Sequence, residues 1–229
     1  MTKHTLFLAA ALGLLAGASA PQADARLAPR PTGVIGVDSH QLTPDYWIDR
    51  QRNADRVILD RGAIALQNRE LQETDPSMHD VEGLPAELDA ARVREWIEDL
   101  SRRPQRQLYD VQGKPVADKA IDGFVEALGL KAIPEKQETR YGLVVHRAAL
   151  RTFPTKTRVF SSDDDTDIDR FQESALFPGT PVAIVHESAD GKWWFVVSER
   201  YAAWIEKRHV AEGSKTEVFG YARKVPYLV

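Results

Sequence analysis

The sequence contains no cysteine. That absence excludes disulfides, a thiol nucleophile, a thiolate metal site and a lipid-modified N-terminal cysteine. A charge excess of one sign is also missing. Thirty basic residues face 34 acidic ones, a net charge of −4. Binding nucleic acid without regard to sequence needs a basic surface, so that class is excluded. A hydrophobic run of membrane-spanning length is lacking too. The apolar stretch Leu6 to Leu15 falls short of the roughly 20 residues a span requires. No glycine-rich phosphate loop occurs, since Gly123 and Gly129 sit in a helix-like context without a following Lys-Ser/Thr pair. What remains is ordinary for a globular chain: 43% hydrophobic and 28% charged residues.

The first 25 residues read as an export signal. Lys3 and His4 open it, the apolar run follows, and Ala18-Ser19-Ala20 and Ala23-Asp24-Ala25 are small-residue cleavage patterns. Cleavage is expected after Ala25, giving a periplasmic or secreted protein with no stable membrane anchor. Residues 26–41, with Pro29, Pro31, Gly33 and Gly36, read as an extended arm.

Residues 42–139 carry a helical pattern. A short helix is expected over 44–53, with Tyr46, Trp47 and Ile48, and another over 61–73. The strongest spans 85–102, where Leu84, Leu88, Ala91, Val93, Trp96, Ile97 and Leu100 recur near the 3.6-residue period. A fourth covers 117–128, started by Asp118 and stopped by Gly129. From residue 140 the period becomes two. Strands are expected over 141–147, 157–160, 181–187, 192–198 and 202–206, with Ser188-Ala189-Asp190-Gly191 as a hairpin turn. Residues 140–213 therefore read as a small closed barrel. The tail, 214–229, reads as extended. The fold class expected is α+β.

Three constellations invite chemistry. Asp163, Asp165, Asp167 and Asp169 alternate as calcium ligands do. An EF-hand begun at Asp163 needs Gly at its sixth position and Glu at its twelfth, but Ile168 and Ser174 stand there. A solvated loop leading into a helical turn over 167–173 is the better account. His186-Glu187-Ser188-Ala189-Asp190 has Asp190 where a zinc-peptidase helix needs histidine, and Ser188 lacks the Gly-x-Ser-x-Gly elbow. His146, His186 and His209 lie 40 and 23 residues apart, so only folding can unite them. No metal or cofactor is expected.

Aromatic residues are the stronger clue. Along 192–198, Trp193, Phe195 and Val197 share one face, and Trp194, Val196 and Ser198 the other. One tryptophan is expected in the core and one outside. Trp193, Tyr201 and Trp204 are the candidate peptide-binding platform, since small β-barrels use aromatic grooves to hold extended peptides. The competing reading packs both tryptophans.

The order and spacing of 140–145 (Arg-Tyr-Gly-Leu-Val-Val), 151–155 (Arg-Thr-Phe-Pro-Thr), 177–182 (Phe-Pro-Gly-Thr-Pro-Val), 187–197 and Tyr201-Ala202-Ala203-Trp204 resemble the first bacterial SH3-like domain of NlpC/P60-type cell-wall cysteine peptidases. The helical region before it resembles that family's N-terminal stabilising segment, with Tyr46, Trp47 and Asn68 in corresponding places. The resemblance implies a helical N-terminal region packed on a small SH3-like β-barrel. The full-length peptidases it resembles cleave γ-D-glutamyl-diamino acid bonds with a Cys/His pair, and this cysteine-free chain matches only their front part. The expectation is a non-catalytic module that binds peptidoglycan stem peptide or positions a papain-like catalytic domain. The alternatives are an independent periplasmic hydrolase using His186 or His209 with Asp190 or the acidic run, and a purely structural module.

Overall fold

The computed structural model describes residues 32–224. The expected leader (1–25), most of the arm and the last five residues of the tail lie outside the described residues. The described residues divide into two compact units, separated after Asp60. The expected boundary near 139 lies inside the second.

In the first unit, a 3₁₀ turn over Ser39–Leu42 leads to α1, Pro44–Ile48. Proline suits the first helical turn because its missing N–H would be unpaired there anyway. The helix is shorter than the expected 44–53. Trp47 donates its indole N–H to the Gln41 carbonyl at 2.7 Å, and the Arg50 guanidinium lies 3.4 Å from the Tyr46 ring centroid.

The second unit opens with α2, Arg61–Thr74, which buries no residue. Next come strand β1, Glu87–Asp89, and α3, Ala90–Leu100. The expected helix over 85–102 therefore loses its first turn to a strand. Residues 87–89 pair antiparallel with β2, Lys136–Glu138, and Leu88 is buried there. The apolar spacing of Leu84 and Leu88 fits a helix, but pairing with a segment some 50 residues away overrides it. Helix α4, Asp118–Glu126, ends just before Gly129, whose φ of +64° is costly for residues with a Cβ.

Seven further strands follow: β3 Arg140–Val144, β4 Ala148–Arg151, β5 Gln172–Leu176, β6 Pro181–Glu187, β7 Trp193–Val197, β8 Ala202–Glu206 and β9 Val210–Gly213. They form one antiparallel sheet in the order β5-β4-β8-β7-β6-β3-β9. The α+β class holds, but the closed barrel does not. Among the described residues β5 and β9 are edges, and β4 meets β8 through the single pair Arg151↔Trp204. A bulge between Leu150 and Arg151 shifts the register at that junction. Gly142, between β6 and β9, is a close approach: a Cβ would come within 2.6 Å of Val210 Cγ1.

Two further expectations change. Residues 157–160 form no strand, and Phe160 makes only an isolated bridge to Tyr109. The tail folds as helix α5, Lys215–Ala222. Ser214 and Glu217 form a capping box, in which the Ser214 hydroxyl accepts the Glu217 N–H at 3.2 Å and the Glu217 carboxylate accepts the Ser214 N–H at 2.9 Å. Val218 and Phe219 are buried, with Phe219 edge-on to Tyr141.

Alternation along β7 divides the core. Trp193, Phe195 and Val197 join Trp204, Phe153, Phe171 and α3 residues Val93, Trp96 and Ile97 in one cluster. Trp194 and Val196 join Leu150, Val182, Ile184 and Ile205 in the other. A central strand covered on both faces buries all its side chains, as β7 does.

Candidate functional site

The aromatic platform does not assemble. Trp204 is 0% exposed and Trp193 6% exposed, while Tyr201, before β8, is 39% exposed. The period-two pattern assigned the faces of β7 correctly, but a period says nothing about whether a face is covered. Of the three, only Tyr201 offers surface to a ligand.

The hydrolase constellation also comes apart. The Ser188 hydroxyl donates to the Asp190 carboxylate at 2.7 Å, and the Trp193 N–H donates back to Ser188 Oγ at 3.1 Å. Asp190 also accepts the Lys192 N–H. These bonds build the hairpin turn. The His186 Nε2–H donates to the buried Leu128 carbonyl at 2.9 Å. His186 and Ser188 line a cleft of about 450 Å³ with Arg140 and Glu187, but His209 and Asp190 do not. His146 and His209 approach each other, ring centroids 6.0 Å apart, away from His186.

Burial lowers the His186 pKa below the usual 6.5, outweighing the Leu128 carbonyl, which raises it. Burial likewise lowers His79 and His209, with Arg92 and Arg208 adding repulsion. The fold thus prefers the neutral rings. Their contribution to stability is complete above 6.5 and is lost as pH falls below it, because the unfolded chain takes up the protons first. The melting temperature is expected to fall from about pH 7 to about pH 5, less steeply in His186→Gln, which keeps a donor for Leu128. Thermal unfolding across a pH series checks this. An unchanged slope in the variant would exclude His186 as a contributor.

The acidic run acquires a structural explanation that the sequence did not supply. Asp169 accepts Arg151 Nη1 at 2.5 Å on one carboxylate oxygen, and the Val159 and Phe171 N–H groups on the other. Arg151 also donates to the Thr155 and Thr157 carbonyls at 3.1 and 2.5 Å. Both side chains are nearly buried, at 6% and 10% exposure. This clamp closes the long β4–β5 connection and sets Phe153, Val159, Phe160 and Phe171 in the interior. Asp163, Asp164, Asp165 and Asp167 stay exposed. Among the described residues no group of three acidic or histidine side chains is placed to hold a metal ion.

Beside the clamp lies a cleft of about 540 Å³. Its walls come from the segment after α3 (Arg102, Arg106), the end of the β4–β5 connection (Arg170) and β5 (Glu173), over Phe153 and Phe171. A second cleft, of about 700 Å³, lies between the end of α2, α3 and Ala202, next to Tyr201. It is rimmed by Glu73, Asp75, Glu95 and Asp99, with His79 and Trp96 among its lining residues. The Arg92 guanidinium lies over Trp96 and bonds Glu95 at 2.6 Å.

With this geometry in place, comparison with known proteins bears on strands β5 to β8. Residues 158–206 match the family model of an SH3 domain of the SH3b1 type. The fold also resembles that of an NlpC/P60 endopeptidase from Photobacterium damselae subsp. piscicida, with a TM-score of 0.55 and 19% identity over 73% of this chain. The matched region spans 40% of that protein's length. No curated protein matches the chain in sequence. The matched residues fall within 140–206, the stretch whose sequence resembles such a domain. No helix among the described residues is long and apolar enough to cross a membrane.

Proposed function

We propose that this chain is a non-catalytic, exported SH3b module of a cell-wall hydrolase system, and that it binds the peptide part of peptidoglycan. The SH3b1-type match over residues 158–206 carries the reading. The fold likeness to an NlpC/P60 endopeptidase supports the hydrolase association. The helical segment serves as a stabilising region, because Val93, Trp96 and Ile97 share a core with Phe195 and Trp204. Export rests on the charge-free apolar run and small-residue sites before Arg26. The absence of cysteine supports the non-catalytic part, since this family's chemistry needs a thiolate.

Purified chain is expected to co-sediment with isolated sacculi and to be released by soluble stem peptide. It is expected to liberate no peptide fragments on prolonged incubation, as read by mass spectrometry. Failure to sediment would overturn the binding reading and favour a packing module. Released fragments would overturn the non-catalytic one.

A further inference from the structure

The cleft beside the Arg151–Asp169 clamp has a charge opposite to that of the chain. The molecule is net −4, yet the charged lining residues here are Arg102, Arg106 and Arg170 against Glu173 alone. Each charge has a distinct status. Arg102 pairs with Asp99 at 2.8 Å, and Glu173 accepts the Thr152 hydroxyl at 2.7 Å. Arg106 and Arg170 have no side-chain partner among the described residues. Elsewhere in the second unit Arg92, Arg103, Arg140, Arg151, Arg158, Arg208 and Arg223 each meet a carboxylate within 4.0 Å. Among the described residues Arg61, Arg69, Arg94, Arg147 and Arg200 do not, but only Arg106 and Arg170 share one cleft without such a partner. Beneath the unpaired guanidiniums lie the rings of Phe153 and Phe171, buried 4.9 Å apart with Phe124 beside them. Arg170 is held in register from both sides. Its N–H donates to the Val159 carbonyl, and its neighbours Asp169 and Phe171 are fixed by the clamp.

We propose that this cleft binds a carboxylate of an acidic peptide, with Arg106 and Arg170 as the ligating pair. The reading deepens the peptide-binding function above and rests on it. Guanidinium presents a planar fork that matches a carboxylate with two parallel hydrogen bonds. Two unpaired forks at one mouth suit a ligand with two carboxyl groups, or one carboxylate held between them. The apolar floor excludes water from one side and strengthens those bonds. Arg102, already neutralised by Asp99, contributes field rather than a free fork. On an acidic protein such a local basic mouth also selects acidic ligands as they approach.

The test uses the full chain, isolated sacculi, and the synthetic peptide Ala-Glu-Ala with free carboxyl groups beside its fully amidated Ala-Gln-Ala counterpart. Wild type is expected to bind Ala-Glu-Ala, weakly and with a strong salt dependence, and to ignore the amidated peptide. The double variant Arg106→Gln/Arg170→Gln is expected to lose at least about tenfold in affinity for the acidic peptide and for sacculi. Its melting temperature should be unchanged, because both side chains are exposed. Lys119→Gln, an exposed charge on α4 outside the cleft, should bind as wild type does. If wild type sediments with sacculi and the double variant does so equally well, the cleft assignment fails and the module reading stands. If wild type does not sediment, the module reading fails, and the peptide titration alone decides the cleft. Wild type binding both peptides equally, or neither, would overturn it.

Discussion

Arg151→Leu and Asp169→Leu are each expected to cost about 3–5 kcal/mol of stability, because each leaves the other charge nearly buried and unpaired. A buried ion pair can often be replaced as a unit by apolar residues at little cost. This pair is different, because each member also serves backbone groups. Arg151 satisfies the Thr155 and Thr157 carbonyls, and Asp169 the Val159 and Phe171 N–H groups. Four groups lose partners in the double variant, and each costs about 1–3 kcal/mol where water does not replace the bond. The double variant is therefore expected to lie at least about 2 kcal/mol below wild type, with a favourable coupling in the cycle. Urea unfolding at constant m-value measures both quantities. Full recovery in the double variant would show that the four backbone groups are satisfied by water. The local consequence reaches the cleft, since Phe171 and Arg170 follow Asp169 directly. Variants of the clamp should weaken binding of acidic peptide even where the global fold survives.

That clamp marks the limit of what the sequence discloses. Segments whose partners lie close in the chain were legible. The strand over 181–187, the Asp-Gly turn and the strand over 202–206 were found at their observed positions because alternation and turn chemistry are local signals. The resemblance to an SH3b domain was legible for a related reason, since it rested on short quoted stretches in fixed order. Errors arose where a distant partner decides. Leu88 leaves a good helical stripe because residues 136–138 offer a strand. In the sequence Asp169 is one of four alternating acids, and only the fold singles it out by placing Arg151 opposite it. Trp204 looked like a ligand platform because aromatic side chains suit binding and burial equally. The capping box Ser214-Lys215-Thr216-Glu217 is a local signal for a helix start, and it makes the tail a helix rather than an extended segment. The basic cleft gave no sequence signal. Arg102, Arg106 and Arg170 are scattered among 30 basic residues, and the lack of side-chain partners at Arg106 and Arg170 among the described residues is a property of the folded surface.

Trp204→Ala is expected to cost about 3–5 kcal/mol, the usual range for truncating a large buried aromatic. Its environment supports the upper part of that range. The side chain has no exposed surface, lies edge-on to Phe195 at 5.3 Å and sits opposite Arg151 in the pair that joins β4 to β8. Its indole N–H donates to the Ser101 hydroxyl at 3.1 Å, and Ser101 donates onward to the Thr152 carbonyl at 2.7 Å. The chain of bonds ties the end of α3 to the sheet. Ser101→Ala leaves the buried indole N–H unpaired and should cost about 1–3 kcal/mol, less than the truncation. Trp204→Phe keeps most of the bulk and should fall between wild type and Trp204→Ala. A loss below about 1 kcal/mol in Trp204→Ala would contradict a core position for this ring. The same ranking governs how binding data on the aromatic residues are to be read. Alanine at Trp193 or Trp204 lowers ligand affinity by unfolding the protein, whichever surface the ligand uses. Tyr201→Ala should cost less stability than either tryptophan truncation, since Tyr201 is 39% exposed. Of the three aromatic candidates it alone reports on contact, and a binding loss there at unchanged stability would place peptide beside the α3 cleft as well.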